Sequence, residues 1–287
     1  MSDAEGLRRL HRLLSLCFAF FVGNFPSLRV FRGKISGFAF PGTNALVTAV
    51  LRRLLAFTLA LAAPIAHAQQ IYFNDFNGPP GSKYAEWTSS PITYTSTTQP
   101  LKSGTLPAPV VTNCVSPKGE QKFLGEFGGP PVAAKGEPAY MRMRVDHTIT
   151  LTLTNLPPHR SLKASFDLLI LKSWDGNSPA YGPDRWRCAV ADGPVLLDTT
   201  FSNNPKVNTE GSSQDYPKPG SPPRTSAVSI NTLGYAFFAD SIYHMEFTFP
   251  HSESNLRLDF SSSLFEGKGT DDESWGLDNV RIIAALP

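Results

Sequence analysis

The feature that most constrains this chain is a run of strict alternation. Thr148, Thr150, Thr152 and Thr154 interleave with Ile149, Leu151 and Leu153. One face is hydroxyl-bearing and the other apolar, at period 2, which is the requirement for a half-buried antiparallel strand and cannot be met by a helix. Leu156-Pro157-Pro158-His159 breaks the run, and alternation resumes with Leu162, Ala164, Phe166, Leu168 and Ile170. The opposite face of this second run carries Lys163, Ser165 and Asp167, then Leu169 and Leu171, so the strand is covered on both sides toward its end and is expected to be central. The same period returns at Trp186, Cys188 and Val190, at Tyr243, Met245, Phe247 and Phe249, and at Leu256, Leu258 and Phe260. Asp192-Gly193 reads as a turn before a strand at Val195–Phe201.

Around these runs the pattern is weaker. Ile71–Asn77 is a short aromatic strand expected to pair with the last one, about Leu277–Ala284, which is entered through Gly269–Gly276. Tyr84–Thr98 has room for one or two strands, and Lys122–Phe127 for another. Pro100–Pro117 reads as loop. Asn203–Ser226, polar and with five prolines, reads as a long surface crossover between sheets, with a lid as the alternative. No helical period survives after residue 68. The expected fold is all-β, an antiparallel β-sandwich of the jelly-roll kind.

The first 68 residues stand apart. Val50–Ala68 has Arg52 and Arg53, an apolar run over Leu54–Ile65 and the small-x-small pattern Ala66-His67-Ala68. These are the parts of a secretory signal peptide, and the run is too short for a membrane span. The expected divisions are 1–49, an upstream extension; 50–68, the signal peptide, with cleavage near Ala68; and 69–287, the sandwich. For the extension a start assigned too far upstream and a second hydrophobic segment at Leu13–Val22 both remain open. The mature chain is expected to be secreted, extracellular or periplasmic, with no membrane anchor.

Removing the first 68 residues reverses the charge. They hold eight of the 26 basic residues and two of the 24 acidic ones, which leaves 18 basic and 22 acidic, a net −4. A mildly acidic domain lacks the basic footprint of a nucleic-acid binder. Cys114 and Cys188 are the only cysteines left, either a disulfide permitted by export or two free thiols.

Enzyme signatures such as HExxH, GxSxG and CxxC are absent. No catalytic residue is nominated, and His147, His159, His244 and His251 show no ligand spacing. Oxygen donors concentrate in two blocks. Ser173–Trp186 holds Asp175, Asn177 and Asp184, and Thr270–Asn279 holds Glu273 and Asp278; Asp75 joins them if the first and last strands pair. Calcium takes six to eight oxygens from such groups, so these six residues are the candidate metal ligands. Trp174 and Trp275 lie in the same blocks and are candidates for stacking on sugar rings, whereas Trp186 has inward parity and belongs to the core. A glycosidase would need two facing carboxylates, for which Asp167, Glu246, Asp259 and Glu273 are available.

The pieces FLGEFGG, LTLTNLPPH, SFDLLILKSWDGN, GPDRW and DESWGLDNVRI, most specifically SWDGN and WGLDNV, resemble secreted bacterial jelly-roll domains of the concanavalin-like and carbohydrate-binding-module type. That resemblance, over about residues 70–284, implies a structural calcium near Asp278 and Asp75. The residue before SWDG is commonly acidic in such domains, and here it is Lys172. The expected function is a non-catalytic, calcium-stabilised binding module for glycan or cell-surface material. The alternatives are a glycan-active hydrolase or lyase and a structural or adhesive surface protein.

Overall fold

The computed structural model describes residues 68–96, 102–130, 132, 143–204, 212–236, 239–265 and 269–286. The upstream extension and the signal segment up to His67 lie outside the described residues. Fourteen strands follow in order: β1 Ala68–Asn74, β2 Trp87–Ser89, β3 Ile92–Ser96, β4 Ser103–Leu106, β5 Asn113–Val115, β6 Lys122–Phe127, β7 Met143–Leu153, β8 Ser161–Lys172, β9 Arg185–Val190, β10 Val195–Thr200, β11 Ser229–Ile230, β12 Asp240–Pro250, β13 Leu256–Leu264 and β14 Glu273–Ala285. They form two antiparallel seven-stranded sheets. The first runs β11-β12-β8-β14-β6-β5, with β1 also on β14. The second runs β10-β9-β13-β7-β3-β4, with β2 also on β7. The chain changes sheet at each step from β7 to β8 to β9 and again from β12 to β13 to β14, which is the jelly-roll path.

The alternating runs explain the core. Leu162, Ala164, Phe166, Leu168 and Ile170 of β8 face Leu256, Leu258 and Phe260 of β13 and Ile149 and Leu151 of β7, all fully buried. Phe166 meets Phe260 edge-on with centroids 5.2 Å apart. Each leucine, isoleucine and phenylalanine among them contributes about 1.5–3 kcal/mol by leaving water. Strand β8 is central, between β12 and β14. Its second apolar pair, Leu169 and Leu171, is capped on the outer face by Phe123, Leu233, Tyr235 and Ile242. Strand β1 pairs with β14 from Ala68↔Ala285 to Asn74↔Val280, as expected of the first and last strands.

Three expectations need correction. The stretch read as loop at Pro100–Pro117 contains β4 and β5. The last strand starts four residues early, at Glu273, so seven of the ten residues of the acidic block are strand. The 203–226 crossover does connect the two sheets, but it is not only surface, because Ser212, Gln214 and Ser221 are buried. Both thiols are free: Cys188 lies in the inter-sheet core, and Cys114 packs against the outer cluster. Burial holds the Cys114 thiol up to about 12.

Candidate functional site

The loop between β8 and β9 gathers the first constellation. Asp175 N donates to Asp184 Oδ2 at 2.6 Å, and Phe265 N donates to Asp184 Oδ1 at 3.2 Å. Asn204 Nδ2 donates to Asp175 Oδ1 at 3.0 Å. Gly176 sits at φ +59, and a Cβ there would lie 2.2 Å from Ser213 O, so the loop can close against the crossover only with glycine. Because β14 begins early, Glu273 starts a strand and is buried beside this loop. Asp175, Asp184 and Glu273 bring ligand oxygens within 4.8 Å of one another, all three residues being buried.

Three of the six expected metal ligands are therefore together, and three are not. Asn177 is turned to the crossover: its Oδ1 accepts from Thr200 Oγ1 at 2.8 Å, and its Nδ2 donates to Asp215 Oδ1 at 2.8 Å. Asp278 points away from the core, five residues along β14 from Glu273, with Asp75 near it after β1. Lys172 directs its ammonium to Glu126 Oε2 at 2.7 Å and to Thr270 O, over the Tyr235 ring.

The two tryptophans expected as sugar platforms do not fit that role. Trp174 and Trp275 are both 0% exposed. Trp174 donates from Nε1 to Ser274 O at 2.8 Å and meets Phe201 edge-on. Trp275 packs on Phe127 and Trp186 at centroid distances of 4.8 and 6.0 Å. Both are core side chains, as is Trp186. Of the four carboxylates considered for a glycosidase, Asp167 and Glu246 share the outer face of the first sheet on the neighbouring strands β8 and β12, and the other two lie elsewhere. Glu273 is buried, Asp259 alternates with core residues of β13 in the second sheet and accepts from Thr150, and Glu246 pairs with Lys163 at 2.7 Å.

The second constellation is a polar row across the outer face of the first sheet. His244 Nδ1 on β12 is 2.7 Å from Asp167 Oδ1 on β8, and Asn279 Nδ2 on β14 donates to Asp167 Oδ2 at 2.8 Å. Asn279 N donates to Asp278 Oδ1 at 2.7 Å, and Gln121 Nε2 donates to Asp278 Oδ2 at 2.8 Å. A register shift between Asp278 and Arg281, with Asn279 at φ 51, turns Asp278 and Asn279 outward in succession before Val280 returns to the core. Burial, then the charges of Asp167 and Asp75, push the Asp278 carboxyl up to about 6 against the pull of its two donors. One end of the row opens into a cleft of about 360 Å³, lined by Asn77, Gln121, Lys122, Thr232, Asp278 and Asn279 among others.

Sequence reasoning picked out Asp278 and, as a candidate glycosidase carboxylate, Asp167, without joining the two. Asp167 and His244 each fall on the polar parity of an alternating run, but only the register Asp167↔His244 joins them. His159 and His251, 92 residues apart, likewise stack with Nε2 and Nδ1 at 2.7 Å.

No family model matches the chain, and no curated protein matches it. Among solved structures it is similar to TmCBM27, a carbohydrate-binding module with specific mannan recognition, at 13% identity over 76% of this chain and 99% of that one, TM-score 0.38. It is similar to the K2 cleaved adhesin domain of Lys-gingipain at 11% identity over 74% and 96%, TM-score 0.34. The K1 adhesin domain of the same protein from Porphyromonas gingivalis W83 gives 11% identity over 75% and 96%, TM-score 0.30. The sandwich assignment rests on the two sheets themselves.

Proposed function

We propose that the protein is a non-catalytic binding module, exported by its 50–68 segment, which takes a glycan at the outer-face cleft and is stabilised by calcium. The polar row carries the ligand part. Gln121, Asn77 and Asn279 amides converge with the Asp278 carboxylate on a cleft near the lower end of the about 300–1,000 Å³ range of small-molecule sites. Such donors and acceptors match sugar hydroxyls. With Trp174 and Trp275 inside the core, recognition falls to hydrogen bonding, without ring stacking on either of them.

The buried carboxylates support the metal part. Asp175, Asp184 and Glu273 form an all-oxygen donor set of the kind calcium prefers. Taken out of water this close together, their charges repel strongly, and a divalent cation held there would also tie β14 to the 173–184 loop.

A glycan array with the purified protein tests the ligand reading. Binding to at least one glycan class is expected, weakened in Gln121→Ala while the melting curve is unchanged. An array without any signal, or binding indifferent to Gln121→Ala, overturns it.

A further inference from the structure

On the reading of the cleft as a glycan site, we infer that its ligand is a saccharide carrying free amino groups, an oligomer of the glucosamine type. The starting observation is the mismatch between the cavity and its charges. The cleft wall offers two carboxylates, Glu120 and Asp278, and one ammonium, Lys122. That ammonium already donates to Asn77 O at 3.0 Å. Asp167 and Asp75 stand close enough behind Asp278 to add their fields to it. The nearest titratable base on the row, His244, is held to Asp167. Of the charged side chains that line the cleft, two are acidic and one is basic; Lys118, in the same turn, packs at Gly234 beside Leu233.

Asp278 shows the consequence. Its oxygens accept from Gln121 Nε2 and Asn279 N, both neutral donors, so hydrogen bonding is met but charge is not. A uronic, sulfated or sialylated glycan would bring a further negative charge to this wall. A neutral sugar would leave the imbalance as it stands. A sugar ammonium would supply the opposite charge, while its hydroxyls use the amides of Gln121, Asn77 and Asn279. A basic peptide meets the same charge requirement, but the lining side chains are largely polar, with Leu233 the apolar exception, and peptide recognition relies on apolar pockets for side chains. Binding an ammonium beside Asp278 favours its ionised form, so affinity should fall as the carboxyl takes its proton near pH 6.

Calorimetric titration of the full chain decides the matter. Glucosamine oligomers, their N-acetylated counterparts, neutral hexose oligomers of equal length and a lysine-rich peptide are compared at about pH 7 and about pH 5. The inference expects glucosamine oligomers to bind roughly tenfold tighter than the acetylated ones at the higher pH, the size of one partly screened ion pair. That advantage shrinks at the lower pH and is lost in Asp278→Asn. Glu120→Gln, a rim change with little bearing on folding, reduces it in part. Equal affinity for amino and acetylated oligomers overturns the inference and leaves the glycan reading standing. Binding of the peptide alone, or of none of the four, overturns both.

Discussion

His147 lies on β7 with Nε2 2.8 Å from Ser89 Oγ, while that hydroxyl donates to Ser90 O at 2.9 Å. A hydroxyl has one proton to give, so the ring must donate from Nε2, and Nδ1 is the bare nitrogen. Nδ1 is buried with no hydrogen-bond partner among the described residues, and a second proton there would meet no acceptor. Burial accordingly lowers the imidazolium pKa to about 4 from 6.5. The unfolded chain takes the proton first on acidification. The stability tied to neutral His147 is complete above about pH 6.5 and is lost toward pH 4, about 3 kcal/mol in all. Asp278 has the opposite sign. Its folded pKa, about 6, lies above the ordinary 3.8, so its charge costs stability above pH 6 and the cost is relieved as the pH falls. Denaturant titrations of the native protein and His147→Gln between pH 7 and 4 separate the two. The variant should lose less on acidification, and parallel curves would sink the assignment. At this scale the sequence was legible where parity could be counted, as at Trp186. Trp174 lies outside the counted strands and Trp275 in a stretch taken for loop, so neither could be placed. Asn177 was as good a ligand candidate as Asp175 until Thr200 and Asp215 claimed it.

The crossover from β10 to β12 is held from within by one buried side chain. Gln214 Oε1 accepts from Ser202 N, Arg224 N and Tyr243 OH, and its Nε2 donates to Tyr216 O and Thr225 O. Five bonds through one amide make a polar hub that composition alone read as a surface loop. Gln214→Leu strips all five and leaves buried backbone groups unpaired, at about 1–3 kcal/mol each. The variant should lose about 3 kcal/mol or more, exchange the Ser202 and Arg224 amides faster and be nicked by trypsin after Arg224. Unchanged exchange and proteolysis would show that the crossover is held otherwise. Among elements, the long strands β7, β8, β12 and β13 were readable because each repeats its alternation several times. Strands β4 and β5, of four and three residues, are too short to display a period and lie at sheet edges. The start of β14 was hidden because Gly276 and the acidic residues around it are turn formers by preference. Tertiary pairing to β8 overrides that preference.

For the molecule as a whole, the proposed calcium predicts a linkage. A cation held at about a hundred times its dissociation constant stabilises by about 2.7 kcal/mol. For a domain of this size that is roughly 5–10 °C in melting temperature. Chelation should lower the melting temperature by that amount and re-added calcium should restore it, while Asp184→Asn or Glu273→Gln should abolish the response. A midpoint indifferent to chelator removes the metal from the account. The fold class was the most legible level, since alternation without helical period leaves few architectures. The ligand was the least, because the cleft is assembled from Asn77, Gln121, Thr232 and Asp278, which share no local pattern.

The position of β14 has a temporal consequence. This strand, which follows the other thirteen described strands in the chain, lies inside the first sheet and pairs with β8, β6 and β1. Until it is made, the oldest strand has no neighbour, and β8 presents its core face with one flank open. The first sheet cannot close piecemeal behind the ribosome. The first sheet stays unlocked until β14 is present and then sets in one event. A chain that stops short of Glu273 would lack the strand that three others wait for.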